Sequence, residues 1–145
     1  MKAITLWEPW ATAVALELKP IETRTHGRFC GLWHQRIAIH AAKALTQTYL
    51  SRALMDIRPF LTGDQWGLLP KTVDQYHLGC VLCTAWVADT GRLRGEHSEK
   101  ALCECAGRYG LFLQQVSRLA VPAPAVGRQG IWDWNSPTRI PNEED

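Results

Sequence analysis

The stretch Cys80-Val81-Leu82-Cys83-Thr84-Ala85-Trp86-Val87-Ala88 constrains the fold most, because it carries one hydroxyl and no charge. Gly79 precedes it, and Asp89-Thr90-Gly91 has turn composition. Such a run reads as a buried strand, the longest in the chain. It falls well short of the ~18–20 apolar residues a membrane span needs, as does every other run. A strand of this kind needs partners, and the flanking sequence offers several. Ala3–Leu6, Ile21–Arg24, Arg36–His40, Tyr109–Leu119 and Ile131–Trp134 all read as short strands, with Pro122-Ala123-Pro124 expected to break the fifth. Helices are predicted over residues 10–18, after Pro9 at a helix-starting position, and over residues 43–58. In the second, Leu45, Tyr49, Leu50, Leu54 and Ile57 recur at helical spacing before Pro59. Five to six strands with two or three helices is an α+β pattern. A small, partly open barrel is the economical way to satisfy its strand edges.

The chain has 145 residues, enough for one domain that buries roughly 70% of its extended surface without disulfides or metal. Its apolar fraction of 46% and charged fraction of 21% exclude wholesale disorder. Glu8 and Pro9 interrupt the only apolar run near the N-terminus, so a soluble, cytoplasmic protein with no membrane partner is expected. The five cysteines are an odd number, which argues against a disulfide framework. Cys80, Cys83, Cys103 and Cys105 invite a zinc reading. However, Cys80 and Cys83 stand three apart in a strand, where side chains point to opposite faces, so buried thiols are expected and no metal or other cofactor.

The formal net charge of +2 conceals an asymmetry. Residues 1–60 hold eight basic and four acidic side chains, whereas Glu143, Glu144 and Asp145 close the chain. The expected organisation is a domain over residues 1–134 and an acidic tail over 135–145. A modestly basic body with seven tryptophans is compatible with a nucleic-acid partner and equally with a solvated surface of mixed charge.

Four blocks carry a resemblance. Ile4-Thr5-Leu6-Trp7-Glu8-Pro9-Trp10-Ala11 resembles the opening of the ASCH domain family, a branch of the PUA-like superfamily. Lys19-Pro20-Ile21-Glu22-Thr23-Arg24 is similar to its K-x-x-E-x-R segment, and Ile37-Ala38-Ile39-His40-Ala41-Ala42-Lys43 to its strand-to-helix block. Gly127 to Trp134 is similar to its closing glycine-tryptophan strand. The blocks occur in order across nearly the whole chain. Two departures stand out: His26 where the family often has an aromatic, and a longer crossing that contains Leu32-Trp33-His34-Gln35.

The resemblance implies a PUA-like barrel whose first helix, Lys19–Arg24 strand and His40–Lys43 turn line one mouth. Lys19, Arg24 and Lys43 would bring cations there, with Lys43 at a helix start that favours a phosphate. Trp7 and Trp10 suit stacking on a nucleobase, or packing in the core. Glu22 and Arg24 suit a ligand site or a structural ion pair. His40, a candidate ligand-binding residue at a strand end, reads as a hydrogen-bonded structural histidine more readily than as an acid–base catalyst, and Trp132 and Trp134 read as core.

The implied function is binding of RNA, a modified nucleoside or nucleotide, or single-stranded DNA in this basic cleft. The alternative is a small hydrolase acting on RNA or on an N4-acetylcytidine-like amide. Some relatives cleave that amide with a Lys, a Thr three residues later and a distant Glu. Here Lys19 matches the Lys, but Glu22 occupies the Thr position and suits a general base on water beside Lys19. Glu96 or Glu99 would be the distant Glu. Thr23 is expected on the opposite strand face.

Overall fold

The structure is a computed structural model and describes residues 1–136, so most of the expected tail lies outside the described residues. Six strands form one mixed sheet in the order β2-β5-β4-β3-β1-β6. They are β1 (Lys2–Leu6), β2 (Ile21–Arg24), β3 (Arg36–Ala41), β4 (Cys80–Arg92), β5 (Tyr109–Pro124) and β6 (Trp132–Asp133). β1 and β3 run parallel, and every other adjacent pair is antiparallel. The α+β expectation holds. The sheet does not close: β2 and β6 are its edges.

Two strand ends differ from the sequence reading. β4 does not turn at Asp89-Thr90-Gly91 but continues to Arg92, pairing Gly91 with Gly110 and Arg92 with Tyr109. β5 runs through Pro122 and Pro124. Beyond Leu113 no strand flanks the outer side of β5, and the Ala125 N–H bonds Gly79 O at 3.0 Å. Counting back from Ala125, Pro124 and Pro122 turn their nitrogens to the open edge, where a proline ring costs no ladder bond. Register shifts at Val81/Cys83, Thr84/Trp86 and Val87/Asp89 bend this long pair. Cys83 is buried in the main apolar cluster and Cys80 packs against it half-buried.

Four α-helices accompany the sheet: α1 (Trp10–Ala15), α2 (Gln47–Ile57), α3 (Gly63–Leu68) and α4 (Ser98–Ala101). α1 buries Val14 and Ala15 against Ile37, Ile39, Ala85 and Val87 of the sheet. In α2, Leu50, Ala53, Leu54 and Ile57 follow the i, i+3, i+4, i+7 rule and are buried. The Thr46 hydroxyl caps α2 by accepting from Tyr49 N at 3.2 Å, a contact worth about 1 kcal/mol. The helix therefore starts four residues after Lys43, which sits in the preceding loop. The expectation that Lys43 opens a helix is corrected: Ala44 and Leu45 are spent reaching the cap. Trp132 and Trp134 are buried with Ala3, Ala38 and Val81, as expected of core residues. No helix among the described residues is long and apolar enough to cross a membrane.

Candidate functional site

β1, β3 and β5 all finish at one end of the sheet, where β4 begins. Their ends and the loops beyond them surround an outer cleft of about 1030 Å³. Thr5 and Trp7 come from β1 and its exit, His40 and Lys43 from the exit of β3, and Gly127 and Arg128 from the segment after β5. Arg24 enters from β2. It lies on the opposite edge of the sheet, yet its Nη2 donates to Thr5 O at 3.3 Å. The guanidinium thus crosses, by side chain alone, the gap that the strands leave between β2 and β1. It also rests 4.7 Å above the Phe29 ring and 3.5 Å from Glu22 Oε2, while its Nε is buried without a hydrogen-bond partner.

The cleft wall is rigid for a specific reason. The carbonyl of Ala125 can only accept, so His40 Nε2, 2.8 Å away, carries the proton. His40 Nδ1 then accepts from the Thr5 hydroxyl at 3.1 Å, and that hydroxyl accepts from Trp132 Nε1 at 3.1 Å. Every polar atom of the chain is satisfied by the neutral imidazole. Gly127 packs directly on it: a Cβ there would lie 2.5 Å from His40 Cε1 and 2.8 Å from Thr5 Oγ1. These contacts make His40 a wall residue.

A smaller inner chamber of about 400 Å³ adjoins, sharing Trp7 and Arg24 with the cleft. Lys19 and Glu22 line this chamber and not the cleft, so the single mouth expected from the sequence is two spaces. Lys19 is only 2% exposed. Its ammonium donates to Ala101 O and stands 3.7 Å from Glu22 Oε1. Burial lowers the Lys19 pKa, an effect the Glu22 carboxylate opposes. Glu22 Oε1 also accepts from Thr23 N at 2.9 Å.

Thr23 lines this same chamber, contrary to expectation, where Arg108 Nε donates to its hydroxyl at 3.1 Å and Cys103 Sγ lies 3.8 Å away. Neither Glu96 nor Glu99 lines the chamber: Glu96 pairs with Arg94 and Glu99 sits on α4, while Glu104 is present. Trp10 lines the inner chamber, and Trp7, at 52% exposed, lines both spaces. Tyr49 packs on both rings, with centroids 5.3 Å from Trp7 and 6.3 Å from Trp10.

The topology that assembles these spaces is shared with solved proteins. The crystal structure of ASCH from Zymomonas mobilis superposes with a TM-score of 0.54 over 94% of this chain and 87% of that one. The chain has the ASCH fold. A Tyr-to-Phe mutant of the same Zymomonas protein gives a TM-score of 0.50 over 94% and 90% of the two chains. Identities are 14% and 13%, so the likeness concerns the fold. No protein-family model and no curated protein matches the sequence.

Within this ASCH fold, the structure adds Arg128 and Arg108 to the residues named from sequence, and places Cys103, named there only as a possible zinc ligand, beside Thr23. Arg128 lies between Gly127 and Gly130 in a block already singled out, and a lone cation between two glycines was the available signal. Arg108 carried none, being 85 positions from Thr23 along the chain.

Proposed function

We propose that the outer cleft binds RNA or a modified nucleotide through its phosphate, with Trp7 stacking on a base. One observation carries this reading: Arg24, Lys43 and Arg128 line the cleft, and among the described residues no carboxylate does. The buried, unpartnered Arg24 Nε supports it, because an orphaned guanidinium donor costs free energy until an acceptor arrives. Phosphate contacts release counterions, so affinity should fall with salt at a log–log slope of roughly −0.7 per neutralised phosphate on a single strand. Lys43→Ala and Arg128→Ala should each flatten that slope by roughly one such increment. Fluorescence titration with oligoribonucleotides across a salt series reads this directly. An affinity indifferent to salt, or to both substitutions together, overturns the reading.

The inner chamber favours a second reading, hydrolysis of an acylated nucleoside or of RNA. A buried lysine beside a carboxylate is equipped to stabilise a developing oxyanion while Glu22 draws a proton from water. Incubation with N4-acylcytidines and RNA oligomers tests it. Absence of product at high protein concentration overturns it.

A further inference from the structure

The crossing between β2 and β3 builds a surface that the cleft does not use. Trp33 is 53% exposed. Its ring stacks on His34, with centroids 3.9 Å apart and planes inclined by 24°, and His34 is inclined by 24° to Trp86 with centroids 6.0 Å apart. His34 holds this place with a left-handed backbone, φ +56°. Gln115, on the neighbouring strand, has φ +49°. A residue with a Cβ adopts that conformation at a cost, and such strain gathers where a surface has work to do.

The strand register shows what surrounds the rings. Trp86 lies opposite Arg36 on β3 and Gln114 on β5, and in the next row, Ala38, Thr84 and Ser117, both Ala38 and Thr84 are buried. Arg36 is fixed across this face by bonds from its guanidinium to Thr84 Oγ1 at 2.9 Å and Gln115 Oε1 at 3.5 Å. The row that borders the rings holds a guanidinium and an amide, and no carboxylate. A protein partner's apolar core would want aliphatic neighbours, whereas a flat exposed ring set among a cation and hydrogen-bonding groups suits a base and its phosphate.

We propose that Trp33, His34 and Trp86 form a stacking platform for single-stranded RNA that extends the track leaving the cleft. The 3₁₀ turn Arg28–Leu32 connects the two spaces. Its first residue lines a pocket together with Arg24, Phe29 and Gly130, and all three of these also line the cleft. Trp33 follows its last residue, about 10 Å along the turn at about 2 Å per residue. A strand whose phosphate sits in the cleft would thus meet Arg28 and then the Trp33 ring.

The inference rests on the nucleotide reading of the cleft, and two probes separate them. Uridine monophosphate reports the cleft, and a short oligouridylate reports the cleft and the platform. Trp33→Ala should weaken the oligomer roughly 5- to 150-fold, the loss of one base stack, and leave the monophosphate unchanged. Trp33→Phe should restore most of the loss, because it keeps a ring. Trp33 is exposed, so circular dichroism should show both variants folded as the parent. If the parent binds both probes and Trp33→Ala binds the oligomer as tightly, the platform is refuted and the patch falls to a protein partner. If the parent binds neither, the cleft reading fails and takes this one with it.

Discussion

Gly127→Ala offers a sharp test of how the cleft wall is held. The new methyl would lie 2.5 Å from His40 Cε1, 2.6 Å from Nδ1 and 2.8 Å from Thr5 Oγ1, all well inside contact distance. The imidazole cannot step aside without losing its bonds to Ala125 O and to the Thr5 hydroxyl, which in turn receives Trp132 Nε1. Overpacking typically costs about 1–3 kcal/mol, and each lost hydrogen bond about 1 kcal/mol. We expect a loss of about 2–4 kcal/mol, visible in urea denaturation as a lower midpoint with an unchanged slope. The two closest contacts are with His40 and the third is with Thr5, so removing the imidazole should remove about half of the cost. In a His40→Ala background, Gly127→Ala should be milder by about 1–2 kcal/mol, measured as a double-mutant cycle. A cost below about 0.5 kcal/mol, or one that ignores the His40 background, refutes this account of the wall.

Three other predictions follow from buried charge and from the cleft cations. Lys19→Met leaves the buried Glu22 with the Thr23 N–H at 2.9 Å and one cation, Arg24 at 3.5 Å, so stability should fall by about 2–4 kcal/mol in urea. Lys19→Met with Glu22→Gln should recover part of that, and no recovery would show that the pair is not coupled. Glu8 is fully buried, accepting from Thr12 N at 2.8 Å and Thr12 Oγ1 at 2.5 Å, and burial raises its pKa to about 7. The protonated form is favoured by the fold. The parent should therefore lose about 3 kcal/mol relative to Glu8→Gln as pH rises from about 4.5, the unfolded value, through 7. Parallel stability–pH curves for the two proteins would refute this. Finally, Lys43→Ala and Arg128→Ala should flatten the salt dependence of RNA binding more than they alter protein stability, since neither forms an ion pair among the described residues.

Elements with local periodicity were readable. Leu50, Leu54 and Ile57 announced α2, and the uncharged run from Cys80 announced β4. What misled were residues whose usual meaning depends on a neighbour. Prolines 122 and 124 read as breakers because the sequence does not show that their side of β5 has no partner strand. Asp89-Thr90-Gly91 read as a turn because its pairing to Phe112, Leu111 and Gly110 lies some twenty residues further along. Lys43 was placed at a helix start because the apolar spacing begins there, whereas the hydroxyl of Thr46 decides where the backbone N–H groups are first satisfied.

By itself the sequence determined α1 and α2, the buried strand and the four blocks whose order pointed to the ASCH fold, because periodicity and turn chemistry act within about ten residues. Only the tertiary structure decided which side chains share a space. Arg24 meets Thr5 across an unpaired gap, and Lys19 and Glu22 line a space that adjoins, but is not, the one lined by Lys43 and His40. Cys103 and Arg108 arrive beside Thr23. Such meetings depend on how two long bulged strands bend, and a register shift of one residue changes which face every later side chain takes. Cavities are made by that bending, so their contents are written in no single stretch of chain.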